Sequence, residues 1–348
     1  MPQFLRIINS CAPIRVCDIG GWTDTWFAEH GAVFNIGVHP FVQAQVFVYR
    51  AAERPHRITV FAENYGESFA VDQAHPLLHG KHALLEAAFT LMKVPDDVAV
   101  EVHLFSQVPA GASTGTSAAV SVALIGALDV LTPGRLSPYE VAQTAQRIEM
   151  EVLGWQCGIQ DQLCAAYGGV NYIQMTHYPH ASVSPLPLRS DTLWELERRL
   201  MLVYLGSAHV SSDVHKLVIR QLESSGARDE RLEGLRCEAA HAKNAMLAGD
   251  FRALGAAMKA NTDWQARLHE GILSEPARQV IDLARACHAW GWKLNGAGGS
   301  GGSLTLLFGN ADRDQRLFTR ELAVRLPQAA VIPVRPSLHG LRIWESQV

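Results

Sequence analysis

The sequence predicts an α+β protein built from two domains. The chain has 348 residues, which is more than one hydrophobic core usually serves. Hydrophobic residues make up 48% of it and charged residues 18%, the proportions of a globular protein rather than a disordered or fibrous one. Strand and helix patterns are interspersed along the chain, and this order predicts two α+β sandwiches packed side by side.

The first hundred residues are predicted to be rich in strands. Alternating and β-branched residues occur at 42–50 and 57–63, and residues 98–108 contain the run E-V-H-L-F-S-Q-V, all typical of strands. A small, hydroxyl-rich stretch then precedes an apolar run, 118–131, which predicts a buried helix. This run is shorter than the roughly 20 residues that a membrane span needs, and it contains Asp129.

Helix signals continue in the middle of the chain. Ser137 and Glu140 have the spacing of a capping box and open one helix. A further helix begins near Asp161 and ends at the glycine pair 168–169, and residues 170–174 read as a strand.

The segment 179–189 contains three prolines and is predicted to be a linker or crossover. We therefore expect a first domain at 1–188 and a second at 189–348. The second domain is predicted to contain strands at 200–205 and 304–308, helices at 214–223, 231–248, 251–267 and 275–290, and a glycine-rich loop at 295–303.

Composition and charge exclude several classes of protein. The formal net charge is -4 and the basic residues are scattered, so we expect neither nucleic-acid binding nor a membrane partner. The six cysteines lie far apart, which favours reduced thiols over a disulfide framework. No signal peptide is apparent, and the expected location is cytoplasmic. A homodimer stays open, since one sequence does not decide the oligomeric state.

The first motif with chemical meaning is P-A-G-A-S-T-G-T-S-A-A at 109–119, between a strand and the apolar helix. Glycine and small residues let the backbone approach a ligand, and the N–H groups at a helix amino end attract an anion. A phosphate is expected there. An ordinary turn with serine and threonine caps explains the same residues, and the G-K-[ST] ending of a Walker A loop is absent.

The second motif is I-E-M-E-V-L-G-W-Q-C-G-I-Q-D-Q at 148–162. Glu149 falls at the end of one helix and Asp161 at the start of the next, so a tight loop between them directs both carboxylates towards one cleft. Near a phosphate site, such a pair divides into a magnesium ligand and a group that accepts or orients a hydroxyl proton. Taken singly, Asp161 also suits a helix cap and Glu149 a solvated helix face.

Two glycine-containing stretches complete the set. K-L-N-G-A-G-G-S-G-G-S at 293–303 is dense in glycine, which indicates close backbone approach. A mobile surface linker is the alternative, although a predicted strand follows at once. A-P-I-R-V-C-D-I-G-G-W-T-D-T at 12–25 adds Arg15 and an aspartate around a double-glycine turn.

These four stretches, in this order, resemble the GHMP kinases, the family named for galactokinase, homoserine, mevalonate and phosphomevalonate kinases. The resemblance extends from Ala12 to about Phe308. It implies a fold with an amino-terminal domain like domain 2 of ribosomal protein S5 and a ferredoxin-like carboxyl-terminal domain. The active site is then expected in the cleft between them, with ATP and Mg²⁺ as cofactors and a small-molecule sugar or sugar phosphate as partner.

The resemblance also implies a role for each motif. Asp161 is the catalytic residue that accepts or orients the substrate's proton, and Arg15 beside it holds it ionised through opposite charge. Glu149 is a magnesium ligand, together with the hydroxyl of Ser117 or Thr116. The predicted ATP-binding residues are Pro109, Gly111, Ala112, Ser113, Thr114, Gly115, Thr116 and Ser117. The predicted substrate-binding residues are Gly21, Trp22, Thr23, Asp24, Gly158, Asp161, His209, Gly298 and Gly299.

Departures from the family pattern narrow the substrate. The family's amino-terminal motif, which residues 12–24 match, usually reads A-P-G-R-V-N-L-I-G-E-H-T-D, and galactokinases use its glutamate on the sugar's terminal hydroxymethyl group. Gly21 and Trp22 replace that glutamate and histidine here, which argues against galactose. G-G-W-T-D resembles the branch with fucokinases and D-glycero-D-manno-heptose 7-phosphate kinases. His209 stands where that branch often has arginine, so recognition of a distal phosphate stays open.

The resulting expectation is an ATP- and Mg²⁺-dependent kinase for the anomeric hydroxyl of a sugar. D-glycero-D-manno-heptose 7-phosphate is the first candidate, giving the 1,7-bisphosphate for nucleotide-sugar and polysaccharide synthesis. A kinase of a free sugar such as L-fucose or a hexose is one alternative. A non-catalytic sensor that binds sugar and ATP on the same fold is the other.

Overall fold

The protein forms two β-sheets joined by helices in a computed structural model that describes residues 4–207 and 212–347. The strands are β1 Arg6–Ile19, β2 Gly31–Arg50, β3 Ile58–Ala62, β4 Glu67–Ala70, β5 Val98–Ser106, β6 Val170–His177, β7 His180–Pro185, β8 Leu200–Tyr204, β9 Ala289–Leu294, β10 Ser303–Phe308, β11 Ala330–Ile332, β12 Arg335–Pro336 and β13 Arg342–Ser346. The α-helices are α1 Ala83–Leu91, α2 Thr116–Asp129, α3 Pro138–Arg147, α4 Gln160–Tyr167, α5 Ser190–Arg199, α6 Ser212–Ser225, α7 Glu230–Ala248, α8 Phe251–Ala266, α9 Glu275–Ala286 and α10 Ala311–Arg325.

The first sheet has nine strands in the described chain, with the main order β13-β1-β2-β5-β3-β4. The long strand β2 also pairs with β6 and β12, and β6 pairs with β7. Strand β1 runs antiparallel to β2, with Arg6 opposite Val48 and Cys11 opposite Gln43. One face of this sheet packs against α2, so the alternating apolar residues of the strands form the larger core.

Helix α2 is buried as its composition predicts. Its residues are small or aliphatic, and all of 118–129 except Val120 are buried, as expected for a helix that is apolar on every side. The capping box that opens α3 is also confirmed: Ser137 accepts from the Glu140 backbone N–H, and the Glu140 carboxylate accepts from the Ser137 backbone N–H.

The second sheet has the order β11-β8-β10-β9 within the described residues. Helix α9 covers it with one apolar face that includes Val280 and Ile281, while α10 buries Phe318 and Leu322 against the same core. Helices α7 and α8 pack against each other; both contact β1 of the first sheet, and α8 also contacts β9 of the second. These helices therefore hold the two sheets together.

Several boundaries differ from the sequence prediction. The proline-rich segment 179–189 is not simply a linker, since it contains β7, an edge strand, where proline is tolerated. The predicted helix 275–290 ends at Ala286 because β9 already begins at Ala289. Strands β12 and β13 return to the first sheet, so the chain beyond 189 contributes to both sheets, and the boundary at 188 stays a prediction.

Two expectations concern the chain's surroundings. Within 4–207 and 212–347, no helix combines the length and apolar character needed to cross a bilayer. All six cysteines lie in the described ranges and are free thiols.

Candidate active site

A cavity of about 270 Å³ opens where the end of β1, the start of α2, the start of α4 and the glycine-rich loop meet. It brings together residues that are far apart in the sequence and that the motifs singled out. Its wall includes Arg15, Trp22, Asp24, Ser117, Glu149, Gly158 and Asp161.

Arg15 and Asp161 form a two-point ion pair in the wall of the cavity. Arg15 Nε lies 2.7 Å from Asp161 Oδ1, and Nη2 lies 3.0 Å from Oδ2. The remaining nitrogen, Nη1, donates to the backbone oxygen of Ser113. Burial opposes the charge of the guanidinium, yet Asp161 and Asp18 outweigh that effect and raise the pKa of Arg15. A bidentate pair of this kind fixes the orientation of the carboxylate, so Asp161 is held facing the cavity.

Asp24 is a second carboxylate in the wall and is only 3% exposed. Its Oδ2 accepts hydrogen bonds of 2.9 Å from the backbone N–H groups of Ile159 and Gln160 at the start of α4. Burial nevertheless raises the pKa of Asp24 to about 6, and the charge of Asp161 adds to the shift. Gly158 makes room for this carboxylate, because a Cβ at that position would lie 2.0 Å from Asp24 Oδ2.

Glu149 lies on a single π-helical turn, Ile148–Val152, and its side chain is buried. Gln162 Nε2 donates to Glu149 Oε1 over 2.9 Å. Burial raises the pKa of Glu149 to about 7. Gln162 Oε1 is buried and has no hydrogen-bond partner among the described residues. A π-turn often marks a functional position, and here it turns Glu149 into the cavity.

The carboxylate of Glu149 and a hydroxyl at the start of α2 fit a divalent cation. Mg²⁺ binds through one or two protein oxygens plus phosphate and water, so the absence of any cluster of three or more acidic, histidine or cysteine ligands in the described chain is compatible with it. Glu149 and Ser117 line the same cavity, whereas Thr116 lines the neighbouring ones and its hydroxyl contacts Thr114 Oγ1 at 3.1 Å. This arrangement favours Ser117 over Thr116 as the hydroxyl ligand.

The loop 111–117 forms a second cavity, of about 250 Å³, which adjoins the first at Arg15 and Asp161. Gly111, Ser113 and Gly115 have positive φ angles of 74°, 56° and 67°, so the backbone curls tightly before α2. No side chain caps the amino end of α2, and its N–H groups are therefore available to an anion. Ala112 and Thr114 line this cavity as well, whereas Pro109 precedes it and lines neither cavity.

A third cavity, of about 310 Å³, continues from the loop and was not predicted. Gly111, Thr116 and Ser117 line it on one side, and the exposed rings of Tyr65 and Trp155 line it on the other. Its remaining wall includes residues of β3, β5, α1 and α2. Sequence reasoning missed this site because its residues come from separated segments; the one available signal was an aromatic residue, Trp155, beside the glycine of the second motif.

The other predicted substrate residues have distinct placements. Trp22 lies in the cavity wall with an unusual φ of 80°, its ring 5.1 Å from that of His215. The Thr23 hydroxyl is fully buried; it donates to the backbone oxygen of Gly20 over 2.7 Å and accepts from the backbone N–H of Ala32 over 3.1 Å. Gly21 packs over Asp18, which supports the turn.

The remaining calls concern the glycine-rich loop and one histidine. Gly296 and Ala297 line the cavity, while Gly298 and Gly299 lie against Ile272. Contact of Gly298 and Gly299 with substrate stays a prediction. His209 lies outside the described residues.

Comparison with known proteins agrees with this geometry. Residues 82–169 match the sequence model of the GHMP kinases N terminal domain, and residues 242–320 match that of the GHMP kinases C terminal domain. A mevalonate kinase of Pyrococcus abyssi is 30% identical, with 98% of each chain covered. The chain belongs to the GHMP kinase family. Its mixed fold and its assignment to this family are thereby confirmed.

Other similar GHMP kinases act on sugars by name. A D-glycero-alpha-D-manno-heptose 7-phosphate kinase of Campylobacter jejuni is 27% identical over 58% of this chain and 59% of its own length. The crystal structure of a D-glycero-D-manno-heptose 1-phosphate kinase from Bacteroides thetaiotaomicron superimposes with a TM-score of 0.75 at 20% identity, covering 98% of this chain and all of that one. That likeness concerns the fold.

Proposed function

We propose that this GHMP kinase is an ATP- and Mg²⁺-dependent sugar kinase that phosphorylates an anomeric hydroxyl. One observation carries the proposal: Asp161 lines both the cavity at the loop 111–117 and the cavity that contains Asp24. Its carboxylate accepts two hydrogen bonds from the Arg15 guanidinium, of 2.7 and 3.0 Å, which hold it there. A proton acceptor at the junction of a phosphate site and a polar pocket is the arrangement that in-line phosphoryl transfer requires.

The chain's own groups account for each step. The backbone N–H groups of 111–117 bind the phosphates of ATP, and Tyr65 and Trp155 enclose the base in the adjoining cavity. Asp161 orients the acceptor hydroxyl and takes its proton as the acceptor oxygen bonds to the γ-phosphorus and the bond to the β-phosphate oxygen breaks, releasing ADP. Glu149 and Ser117 are the residues that would hold Mg²⁺, whose chemical contribution is to neutralise phosphate charge.

The charge of the pocket favours a polyol as acceptor. Four carboxylates line it, those of Asp18, Asp24, Glu149 and Asp161. Among its described lining residues, Arg15 is the single arginine or lysine. Sugar hydroxyls donate well to carboxylates, so this wall suits the hydroxyl-bearing end of a sugar. Mevalonate kinases are also among the similar proteins, and mevalonate is therefore included in the test below.

D-glycero-D-manno-heptose 7-phosphate is the first acceptor to test, and its product would be the 1,7-bisphosphate. The name of the Campylobacter relative supports this choice. Sugar 1-phosphates are precursors of nucleotide-activated sugars, so the reaction would supply polysaccharide synthesis.

A free sugar such as L-fucose or a hexose is the second candidate. The observation in its favour is that Arg15 already binds Asp161 and Ser113, which leaves no uncommitted arginine or lysine among the described lining residues for a distal phosphate. A non-catalytic sensor is the third, although the presence of both Glu149 and Asp161 argues against it.

The test is ADP release with MgATP and a panel of D-glycero-D-manno-heptose 7-phosphate, L-fucose, D-mannose, D-galactose and mevalonate. Turnover confined to the heptose phosphate would support the first candidate, and turnover on a free sugar would replace it with the second. Turnover on mevalonate alone would refute the sugar-kinase proposal. Binding of ATP and sugar without turnover at high protein concentration would favour the sensor.

A further inference from the structure

A second buried ion pair lies directly behind Arg15 and Asp161. Asp18 at the end of β1 and Lys293 of β9 are each 1% exposed, and Lys293 Nζ lies 3.2 Å from Asp18 Oδ1. Lys293 also donates to Gln265 Oε1 over 3.0 Å and to the backbone oxygen of Leu294. Removing two charges from water is costly, and such a pair is weak evidence for stability by itself. Its presence calls for another explanation.

The family motif gives no reason for this pair. In the general family pattern A-P-G-R-V-N-L-I-G-E-H-T-D, the position of Asp18 is a leucine, so the carboxylate is not part of that general pattern. A leucine there would satisfy an apolar core without any cation beside it. Asp18 and Lys293 therefore introduce charge where the fold alone does not need it.

The contacts of the Asp18 carboxylate lead to the reaction centre. The backbone N–H of Gly296 donates to both of its oxygens, at 3.2 and 3.0 Å, and Arg15 Nη2 lies 4.0 Å from Oδ2. Gly296 lines the polar cavity and the phosphate-loop cavity alike. One carboxylate thus contacts the glycine-rich loop and stands beside the arginine that grips Asp161.

Neighbouring contacts attach the same loop to both walls of the site. Asn295 Oδ1 accepts from the backbone N–H of Cys17 at 3.1 Å, and Ser303 Oγ donates to the backbone oxygen of Ala112 in the phosphate loop over 2.6 Å. Gln265 Nε2 donates to the backbone oxygen of Gly296 over 2.7 Å. The loop 295–303 is therefore held by buried polar contacts to β1, to the phosphate loop and to α8.

From this geometry we propose that Asp18 is a positioning residue of the kinase, kept in place by Lys293, which fixes Gly296 at the junction of the two cavities and supports Arg15 from behind. The inference rests on the proposed kinase function. If the Asp18–Lys293 pair is lost, the glycine-rich loop and Arg15 can shift relative to Asp161. A displacement of about 1 Å at a reacting centre can cost about a hundredfold in rate.

The decisive variant is Asp18→Leu/Lys293→Met, which removes both charges together and restores the family's leucine. Replacing a whole buried ion pair by apolar residues usually preserves folding, whereas either single change leaves an unpaired buried charge. We expect kcat to fall by about 10- to 100-fold while the KM for ATP changes by less than about threefold. Arg54→Met/Glu101→Leu removes a partly buried pair, 3.0 Å apart, between the turn after β2 and strand β5, and is the matched control with unchanged kcat.

Hydrogen exchange separates this inference from the proposed function. In the double variant we expect the amides of 295–303 to exchange at least about tenfold faster than in the wild type, with exchange in α2 unchanged. An unchanged kcat, or a change in KM alone, would overturn the positioning role. If no acceptor is phosphorylated by the wild type, the proposed function fails, and unchanged loop exchange would then independently refute the hold of Asp18 on the loop.

Asp18→Asn keeps the side chain's volume and guards against misfolding of the double variant. The folded state is verified by wild-type affinity for ATP. We expect a lowered kcat in Asp18→Asn and near-normal kcat in Lys293→Arg, which retains the cation. Wild-type kcat in Asp18→Asn would refute the proposal.

Discussion

Replacing Asp24 by asparagine should stabilise the folded protein at neutral pH while abolishing activity. Asp24 is buried, and burial raises its pKa from 3.8 to about 6. A carboxyl group whose pKa is higher in the folded state binds protons more tightly there, so folding is penalised once the group must ionise. The penalty is absent below about pH 4, grows between pH 4 and pH 6, and is complete above the folded-state pKa of about 6.

The size of the effect follows from the shift. A displacement of about two pKa units corresponds to about 3 kcal/mol at 1.36 kcal/mol per unit. Asparagine has the same shape and stays neutral, and its amide oxygen can accept the N–H groups of Ile159 and Gln160 that Asp24 Oδ2 accepts now. We therefore expect Asp24→Asn to raise the free energy of unfolding at pH 8 by up to about 3 kcal/mol more than at pH 4.

The assay is urea unfolding of wild type and Asp24→Asn at pH 4 and pH 8. Asp96→Asn is the matched control, since the Asp96 side chain is fully exposed and should change stability by no more than about 0.5 kcal/mol at either pH. An equal effect of Asp24→Asn at both pH values, or a lower stability at pH 8, would refute the reasoning. Retained sugar phosphorylation by Asp24→Asn would show that the carboxylate does not bind the acceptor.

Three further predictions concern Mg²⁺ binding, binding of the acceptor and binding of the adenine base of ATP. Because burial raises the pKa of Glu149 to about 7, a proton competes with Mg²⁺, and the Mg²⁺ concentration for half-maximal ADP release should rise about fivefold from pH 7 to pH 6; equal requirements at pH 6 and pH 8 would contradict this role. Gly158→Ala places a Cβ against Asp24 and should raise the acceptor KM with ATP affinity unchanged, as measured by initial rates and calorimetry; a normal acceptor KM would exclude the contact. Trp155→Ala removes a stacking ring and should raise the KM for ATP about tenfold, with the acceptor KM unaffected. A raised acceptor KM with an unchanged KM for ATP would place the adenine base elsewhere.

Elements encoded by local pattern could be predicted from the sequence. Helix α2 follows from an unbroken run of small and aliphatic residues, and α3 follows from the Ser137–Glu140 capping box. Strand β1 was not predicted: its long buried stretch alternates poorly, and its partners β2 and β13 lie at remote positions. Long-range pairing of this kind leaves little local trace.

The candidate site divides in the same way. Arg15, Glu149 and Asp161 belong to contiguous motifs with a recognisable order, and the structure brings all three into one cavity. The cavity at Tyr65 and Trp155, proposed for the adenine base, is formed by dispersed segments, so no single motif predicts it. Lys293 lies within a predicted motif, yet its burial against Asp18 depends on how β9 meets β1 in three dimensions.

The central claim, Asp161-dependent phosphorylation of a sugar's anomeric oxygen, is tested most directly by phosphorus NMR of the product. Wild type and Asp161→Asn would be incubated with MgATP and the best acceptor of the panel. We expect an anomeric phosphate in step with ADP, and a rate reduced by about 10²- to 10⁴-fold in Asp161→Asn with wild-type affinity for ATP. Phosphate on another hydroxyl, or an undiminished rate in Asp161→Asn, would contradict the claim.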